Sequence, residues 1–393
     1  MLSTWQPCST RYSTTCRPAL PLPPVNMIRF VILLSTRLEN YVYCQTIWYS
    51  AIARHPRSAE TFSTIARRAG AHHHERQGRD DMSTTAAREN IGFIGLGLMG
   101  HGIAKNIVDK GYPLTFLGRK NRKPAEDLLG RGAREAATSR EVAAASDIVF
   151  ICVTGSREVE AIIRGPGGLK EGLKQGSVVV DCSTSDPVST MALAAELKAL
   201  GVDYVDAPLS RTPKEAWEGT LDAMVGAPDT VFARLKPVLE TWAGRIVHIG
   251  DTGDGHRMKL LNNFVSLGYA AIYSEALALA EKVGISPARF DSVIRNGRMD
   301  CGFYQTFMRW TLEGDRDAHK FTIANAFKDL TYLESMAGAA GIANPLGNAT
   351  KNSFATAFAT GPAEQYVPML ATHIGKLNGV DLMPSKDGVK QKI

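Results

Sequence analysis

The sequence lacks the cysteine spacings that would hold a metal or build a disulfide framework. Its six cysteines include no C-x-x-C pair and no Cys/His set at ligand spacing. Neither a zinc site nor a stapled scaffold is implied, and a reducing compartment fits. A membrane-spanning run is also missing. The apolar stretch from Met27 to Leu34 is interrupted by Arg29 and falls well short of the roughly 20 residues that cross a bilayer. No continuous basic surface is implied either. The formal charge of +6 gathers at one end, because residues 1–81 hold ten Arg, no Lys and five acidic residues, leaving +1 for the rest. Nucleic acid and membrane are therefore not expected partners. No internal repeat stands out.

What is present begins with a segment unlike the rest. Residues 1–81 show no sustained periodicity and mix a Pro-rich stretch (PALPLPP) with Trp, Cys, Arg and the run His72 to His74. At Met82 the text changes to MSTTAAREN and runs into a strand-like stretch. Three readings stay open for residues 1–81: a spurious upstream extension with Met82 as the working start, a mitochondrial transit peptide, or a disordered tail with its own role; residues 1–89 as a whole are set apart as a disordered or spurious N-terminal extension. The first goes with a cytoplasmic enzyme, the second with a mitochondrial one. Adjacent histidines in such a tail are not taken as a metal site.

From Asn90 the text reads NIGFIGLGLMGHGIAKN. Ile91, Phe93 and Ile94 have strand character. Gly95, Gly97 and Gly100 follow in G-x-G-x-x-G spacing, and Ile103, Ala104, Ile107 and Val108 then recur at helical spacing. A dinucleotide needs this order: a tight turn, a close backbone approach to pyrophosphate, close helix–strand packing, and free N–H groups at a helix start. Leu98 and Met99 lie in the same turn.

Strand-like runs continue at Leu114–Leu117, 147–153, 177–181, 204–207, 221–226 and 246–249, with helical text between several of them. The expected fold is α/β, a Rossmann-type doubly wound parallel sheet over residues 90–252. A long apolar helical pattern from Lys259 to Val283 follows, of a kind buried between domains or subunits. Everything after it reads helical, with stops at Gly284, Gly297 and Gly341–Pro345. A second, all-α domain over residues 253–383, carrying substrate and subunit contacts, is the simple expectation.

Cofactor choice is read at the end of the second strand. An acidic residue there bonds the ribose 2′-OH of NAD, whereas Arg accommodates the 2′-phosphate of NADP. Here LTFL runs into Gly118, Arg119 and Lys120, with Arg122 and Lys123 beyond and no carboxylate at the expected place. NADP(H) is favoured, with NAD(H) possible.

Three stretches at or just beyond strand ends carry candidate chemistry: Asp181–Thr184 (DCST), Asp206–Thr212 (DAPLSRT), and the glycine-rich 250–263. In the last, Lys259 and Asn263 are four apart and share a helix face. A lysine opening a buried helix is either a proton donor and acceptor with a lowered pKa or a side chain that snorkels to solvent.

Taken in order, FIGLGLMG, DCST, DAPLS, the G-x-x-x-K-x-x-N-N box of Gly255, Lys259, Asn262 and Asn263, and Lys328-Asp329-Leu330 resemble the β-hydroxyacid dehydrogenase family over about residues 90–380. That family includes 3-hydroxyisobutyrate dehydrogenases and tartronate semialdehyde reductases. The resemblance implies interconversion of a short β-hydroxy acid and its semialdehyde. It implies Lys259 as catalytic acid/base and Asn263 as the residue orienting substrate beside it. Ser210, Arg211, Thr212 and Asn262 would hold the substrate, and Thr184 and Lys328 would contact the cofactor. It implies a homodimer or homotetramer and an acidic small-molecule substrate.

One departure stands out: the family usually reads S-G-G where this chain has Ser210-Arg211-Thr212. A similar Arg-Thr pair in sulfolactaldehyde reductases of the family makes a sulfonate or more highly charged acid the alternative, unless Arg211 points outward as a structural residue. An imine reductase is a further alternative, against which Lys259 argues. A non-enzymatic scaffold is disfavoured for the same reason. Further pocket residues are sought between Asn296 and Phe307 and after Gly347.

Overall fold

The computed structural model describes residues 88–362 and 364–383. The readings made above for residues 1–87 lie outside them. Strand β1 (Ile91–Ile94) is buried at all four positions and leads through the glycine turn into helix α1 (Gly100–Asp109). Alternation of strand and helix continues through β2 (Leu114–Leu117), α2 (Lys123–Gly130), β3 (Arg134–Ala136) and α3 (Ser139–Ala144). The second half carries β4 (Ile148–Ile151), α4 (Ser156–Arg164), β5 (Val178–Asp181), α5 (Pro187–Lys198) and β6 (Asp203–Asp206). Strands β4 and β5, IVFI and VVVD, are buried throughout. Continuous apolar runs of this kind suit strands covered on both faces by helices.

The strands line up in the order β3-β2-β1-β4-β5-β6, all parallel. The order reverses between β1 and β4, and the crevice above such a reversal is where ligands bind in open α/β sheets. The parallel sheet expected from the sequence runs from β3 to β6, and the strand direction changes beyond it. A two-residue strand β7 (Leu209–Ser210), a short helix α6 (Pro213–Glu218) and strand β8 (Leu221–Gly226) follow, and β8 runs antiparallel to both β6 and β7. The physical reason is the connection: Ala207–Thr220 turns the chain back directly instead of carrying a full crossover helix, and antiparallel neighbours need no crossover. Helix α7 (Asp229–Leu239) then returns the chain to β9 (Ala243–Gly250), parallel to β8. Strand β3 was not foreseen. It is three residues at the sheet edge, two of them exposed, too short and too polar to show a period.

Helix α8 (Asp254–Lys282) opens the second half of the fold and runs 29 residues. It starts five residues before the periodicity predicts, because its first turn is held from the sheet. The Asp206 carboxylate accepts from Gly253 N and His256 N, both at 2.6 Å, and so takes up helix-start donors that have no intrahelical partner. Helices α9 (Pro287–Ile294), α10 (Gly302–Glu313), α11 (Ile323–Ala339), α12 (Pro345–Thr360) and α13 (Leu370–Leu377) complete an all-helical half. Its core gathers Leu267, Ala271, Tyr304, Phe307, Leu330 and Phe354, among others, against one side of α8. The opposite side of α8 carries Leu261, Val265, Ile272 and Leu279, which are 47–65% exposed in the single chain. No helix among the described residues is long and apolar enough to cross a membrane.

Candidate active site

The glycine turn has a shape its own packing dictates. Gly95 holds φ +109°, and a Cβ built on Gly100 would lie 1.9 Å from the Gly95 carbonyl oxygen. Gly97 differs: it is exposed, and a Cβ there would meet nothing within 4 Å. The space above Gly97 is therefore left for something other than protein. Helix α1, which begins there, has no side-chain cap on its first turn. Open backbone at an uncapped helix start is an anion site, and these residues fit the pyrophosphate of a nicotinamide dinucleotide.

A cleft of about 780 Å³ opens beside this turn, within the range of small-molecule sites. Gly97 to Gly100 form one wall, Thr184 and Ser210 to Thr212 lie on the sheet side, and Lys259, Asn262, Asn263 and Lys328 come from the helical half. Twelve of the sixteen residues singled out from the sequence thus line one space. Gly95 sits beneath the turn, against Cys152. Gly118, Arg119 and Lys120 follow β2 and are not part of this lining.

Lys259 is half-buried in the second turn of α8. Burial pushes its ammonium below the ordinary lysine range; the nearby Asp329 carboxylate works in the opposite sense, and Lys328 adds a smaller downward push. Asn263, one turn further, donates from Nδ2 to Asp329 Oδ2 at 2.8 Å. Asp329 is 3% exposed, so this bond fixes which way the Asn263 amide faces. Asp329 is the residue sequence reasoning passed over. Within Lys328-Asp329-Leu330 the family resemblance implies a role for the lysine alone.

Lys328 does something the sequence did not imply. Its Nζ donates to Thr154 O at 2.5 Å and Thr184 O at 2.8 Å, and lies 3.0 Å from Asp329 Oδ1. The side chain ties helix α11 to two loops at the carboxyl ends of β4 and β5. Beneath these loops, fully buried Asp181 accepts from Ser183 N, Ser185 Oγ and Tyr204 OH at 2.8–3.0 Å. His256 bonds Thr190 Oγ1 at 2.8 Å and Ser183 O at 3.2 Å. Burial pushes the Asp206 carboxyl up, opposed by His256 and by the backbone amides it caps. The acidic residues of DCST and DAPLS therefore brace the strand ends from below.

Arg211 stands in the left-handed region, φ +83°, where glycine is the usual residue. Its Nε donates to Asp222 Oδ1 at 3.0 Å while the residue still lines the cleft. Thr212 caps α6 in a capping box with Glu215. Of the pocket segments sought in the sequence, 296–307 contributes Phe303. The residues after Gly347 contribute none to the lining; His319, Lys320 and Phe321 of the α10–α11 connection line the cleft instead.

Residues 90–250 match the family described as the NAD binding domain of 6-phosphogluconate dehydrogenase, and residues 253–371 match that described as NAD-binding of NADP-dependent 3-hydroxyisobutyrate dehydrogenase. A 2-(hydroxymethyl)glutarate dehydrogenase from Eubacterium barkeri is 39% identical over 204 residues, 52% of this chain and 67% of that one. The chain belongs to the β-hydroxyacid dehydrogenase family. It is an NAD(P)-dependent oxidoreductase. A 3-sulfolactaldehyde reductase from Escherichia coli is 30% identical over 276 residues, covering 70% of this chain and 92% of that one. The 3-hydroxyisobutyrate dehydrogenase of Mycobacterium tuberculosis superposes with a TM-score of 0.66 at 26% identity, covering 73% and 99% of the two chains.

Proposed function

We propose that this β-hydroxyacid dehydrogenase acts through Lys259, which gives a proton to the substrate carbonyl oxygen in reduction and takes one from the hydroxyl in oxidation. The carrying observation is the half-buried lysine, shifted down by burial, in the same cleft as the open glycine turn. A lowered pKa makes both protonation states usable near neutral pH. The bound dinucleotide supplies the hydride. Asn263, held by Asp329, orients the substrate oxygen toward Lys259. Ser210 and the backbone that follows it receive the substrate's acid group, with Asn262 beside them. Thr184 lies where the nicotinamide end of the cofactor would sit, and Lys328 secures that loop.

NADP(H) is our preferred cofactor, supported by Arg119 and Lys120, both exposed after β2. The exposed apolar side of α8 supports a homo-oligomer assembled through that helix. It extends from Leu261 to Leu279 at helical spacing and would bury against a second copy.

A cofactor-oxidation assay tests the reading. NADPH and NADH are offered with succinic, methylmalonic and tartronic semialdehydes, glyoxylate and sulfolactaldehyde, with Lys259→Ala alongside. Turnover that falls by about 10²–10⁴ in the variant supports general acid/base catalysis. Tight cofactor binding without turnover on any acid would sink it.

Arg211 favours a second reading, in which the preferred substrate carries a second negative charge or a sulfonate. Its Nε is engaged by Asp222, which aims the rest of the planar fork, a group suited to an oxyanion. Arg211→Gly separates the cases. Glycine accepts φ +83° without strain, so stability should hold. Under this reading kcat/KM falls for sulfolactaldehyde, or for a semialdehyde carrying a second carboxylate, and not for the monocarboxylate substrates; a uniform response refutes it.

A further inference from the structure

Among the described residues Glu135 has no part in the cleft, yet its position bears on the cofactor. It lies on β3 and pairs in register with Phe116 of β2. Its carboxylate reaches over the end of β2: a Cβ built on Gly118 would lie 1.9 Å from Glu135 Oε1 and 2.7 Å from Arg122 Nη1. The two side chains thus fill the space that a side chain on the first residue after β2 would occupy. They form a two-pronged pair, Nη1 to Oε1 at 2.6 Å and Nη2 to Oε2 at 2.7 Å. Folds that take NAD place a carboxylate at the end of β2 to accept from the ribose 2′-OH. This chain has glycine in that sequence position, but a carboxylate from the next strand stands in the same space, capped by a guanidinium.

We propose that the Arg122–Glu135 pair is the cofactor selector of this enzyme: Arg122 masks a carboxylate that would otherwise accept the ribose 2′-OH and repel a 2′-phosphate. With the pair intact, Glu135 is neutralised and both its oxygens are engaged, so the loop of Arg119 and Lys120 presents net positive charge. With Arg122 removed, an uncompensated acid faces the same spot. The planar fork matters, because a point-charge ammonium cannot cover both oxygens in one plane. This inference rests on the NADP preference proposed above. It adds that the preference is held by a pair whose acid half favours the other cofactor.

The test uses equilibrium binding instead of turnover. 2′,5′-ADP and 5′-ADP are titrated calorimetrically into the full chain for wild type, Arg122→Ala, Glu135→Gln and the double variant. Both side chains face solvent, so all four proteins are expected to fold. The wild-type ratio of the two affinities tests the NADP preference by itself. The shift of that ratio among variants tests the selector, whatever the wild-type value. Arg122→Ala is expected to lower the 2′,5′-ADP to 5′-ADP ratio by roughly tenfold or more, the scale of one unit charge close to a phosphate at a protein surface. Adding Glu135→Gln to Arg122→Ala should recover much of that loss, and Glu135→Gln alone should raise the ratio. An unchanged ratio in Arg122→Ala overturns the proposal. A double variant no better than Arg122→Ala also overturns it, since Arg122 would then be a plain phosphate contact and the carboxylate irrelevant.

Discussion

Asp329 offers the sharpest check on how the proposed catalytic lysine is controlled, because its charge and its hydrogen bond can be removed separately. Asp329→Ala deletes the acceptor of Asn263 Nδ2 at a site 3% exposed to solvent. A hydrogen bond to a buried charged group is worth about 1.5–3 kcal/mol. Lys328 keeps its two carbonyl acceptors, so the loss should fall in the lower half of that range and cost about 2–4 °C in Tm for each kcal/mol. Asn263, freed to rotate, should cost kcat about 10–100-fold, the scale of a small misplacement at a reacting centre. Asp329→Asn keeps an acceptor oxygen for Asn263 Nδ2 in nearly the same place, so Asn263 should hold, while the 3.0 Å contact with Lys328 Nζ is lost. What it removes is charge. The carboxylate favours the ammonium form of Lys259 against burial, so without it the lysine pKa moves further down. Reduction needs the protonated lysine, and its falling alkaline limb should move to lower pH. Oxidation needs the neutral lysine, and its rising limb should move the same way. At neutral pH the variant should lose reduction and gain oxidation relative to wild type. The assay is kcat against pH in both directions, with thermal melts on both variants. A wild-type pH profile in Asp329→Asn, together with wild-type kcat in a folded Asp329→Ala, would refute the reasoning.

Three more outcomes are expected. Lys259→Met should lower turnover as Lys259→Ala does yet raise Tm at pH 7: the folded chain holds this lysine below its unfolded pKa of about 10.4, so its charge costs stability at neutral pH, and the gain should shrink as pH climbs toward the ordinary lysine range. Melts of wild type and variant from pH 6 to 10 check the sign. Gly100→Ala and Gly97→Ala should part company. The first drives a Cβ to 1.9 Å from Gly95 O and should destabilise by about 1–3 kcal/mol or more, whereas the second meets no protein within 4 Å and should keep its Tm while dinucleotide affinity falls about tenfold or more. Calorimetric melts and cofactor titration read both. Replacing Val265 and Ile272 together by Asp places two charges on the exposed side of α8 and should convert the proposed homo-oligomer to monomer in size-exclusion chromatography with light scattering; an unchanged mass would move the interface elsewhere.

What the sequence made legible is what local spacing encodes. A strand, a glycine turn and a helix announce themselves through periods of two and 3.6, and Lys259 and Asn263 share a face because they are four apart on one helix. What stayed hidden depends on partners far along the chain. The early start of α8 relies on Asp206, roughly fifty residues upstream. The orientation of Asn263 relies on Asp329, sixty-six residues downstream. The reversal of β8 follows from a connection whose length could be counted but whose direction could not. Cofactor choice shows the same limit in its plainest form. Inspection of the residue after β2 finds a glycine and no acid. Yet neighbouring parallel strands lie only about 4.8 Å apart, close enough for β3 to deliver a side chain into the space that glycine leaves open. A missing carboxylate in one sequence position is therefore no evidence of a missing carboxylate at the ribose. On the selector proposed above, the choice between NAD and NADP turns on which charge stands beside Gly118, and the strand that supplies it, Arg134–Ala136, is the one whose three polar-leaning residues give no periodic sign of being a strand at all.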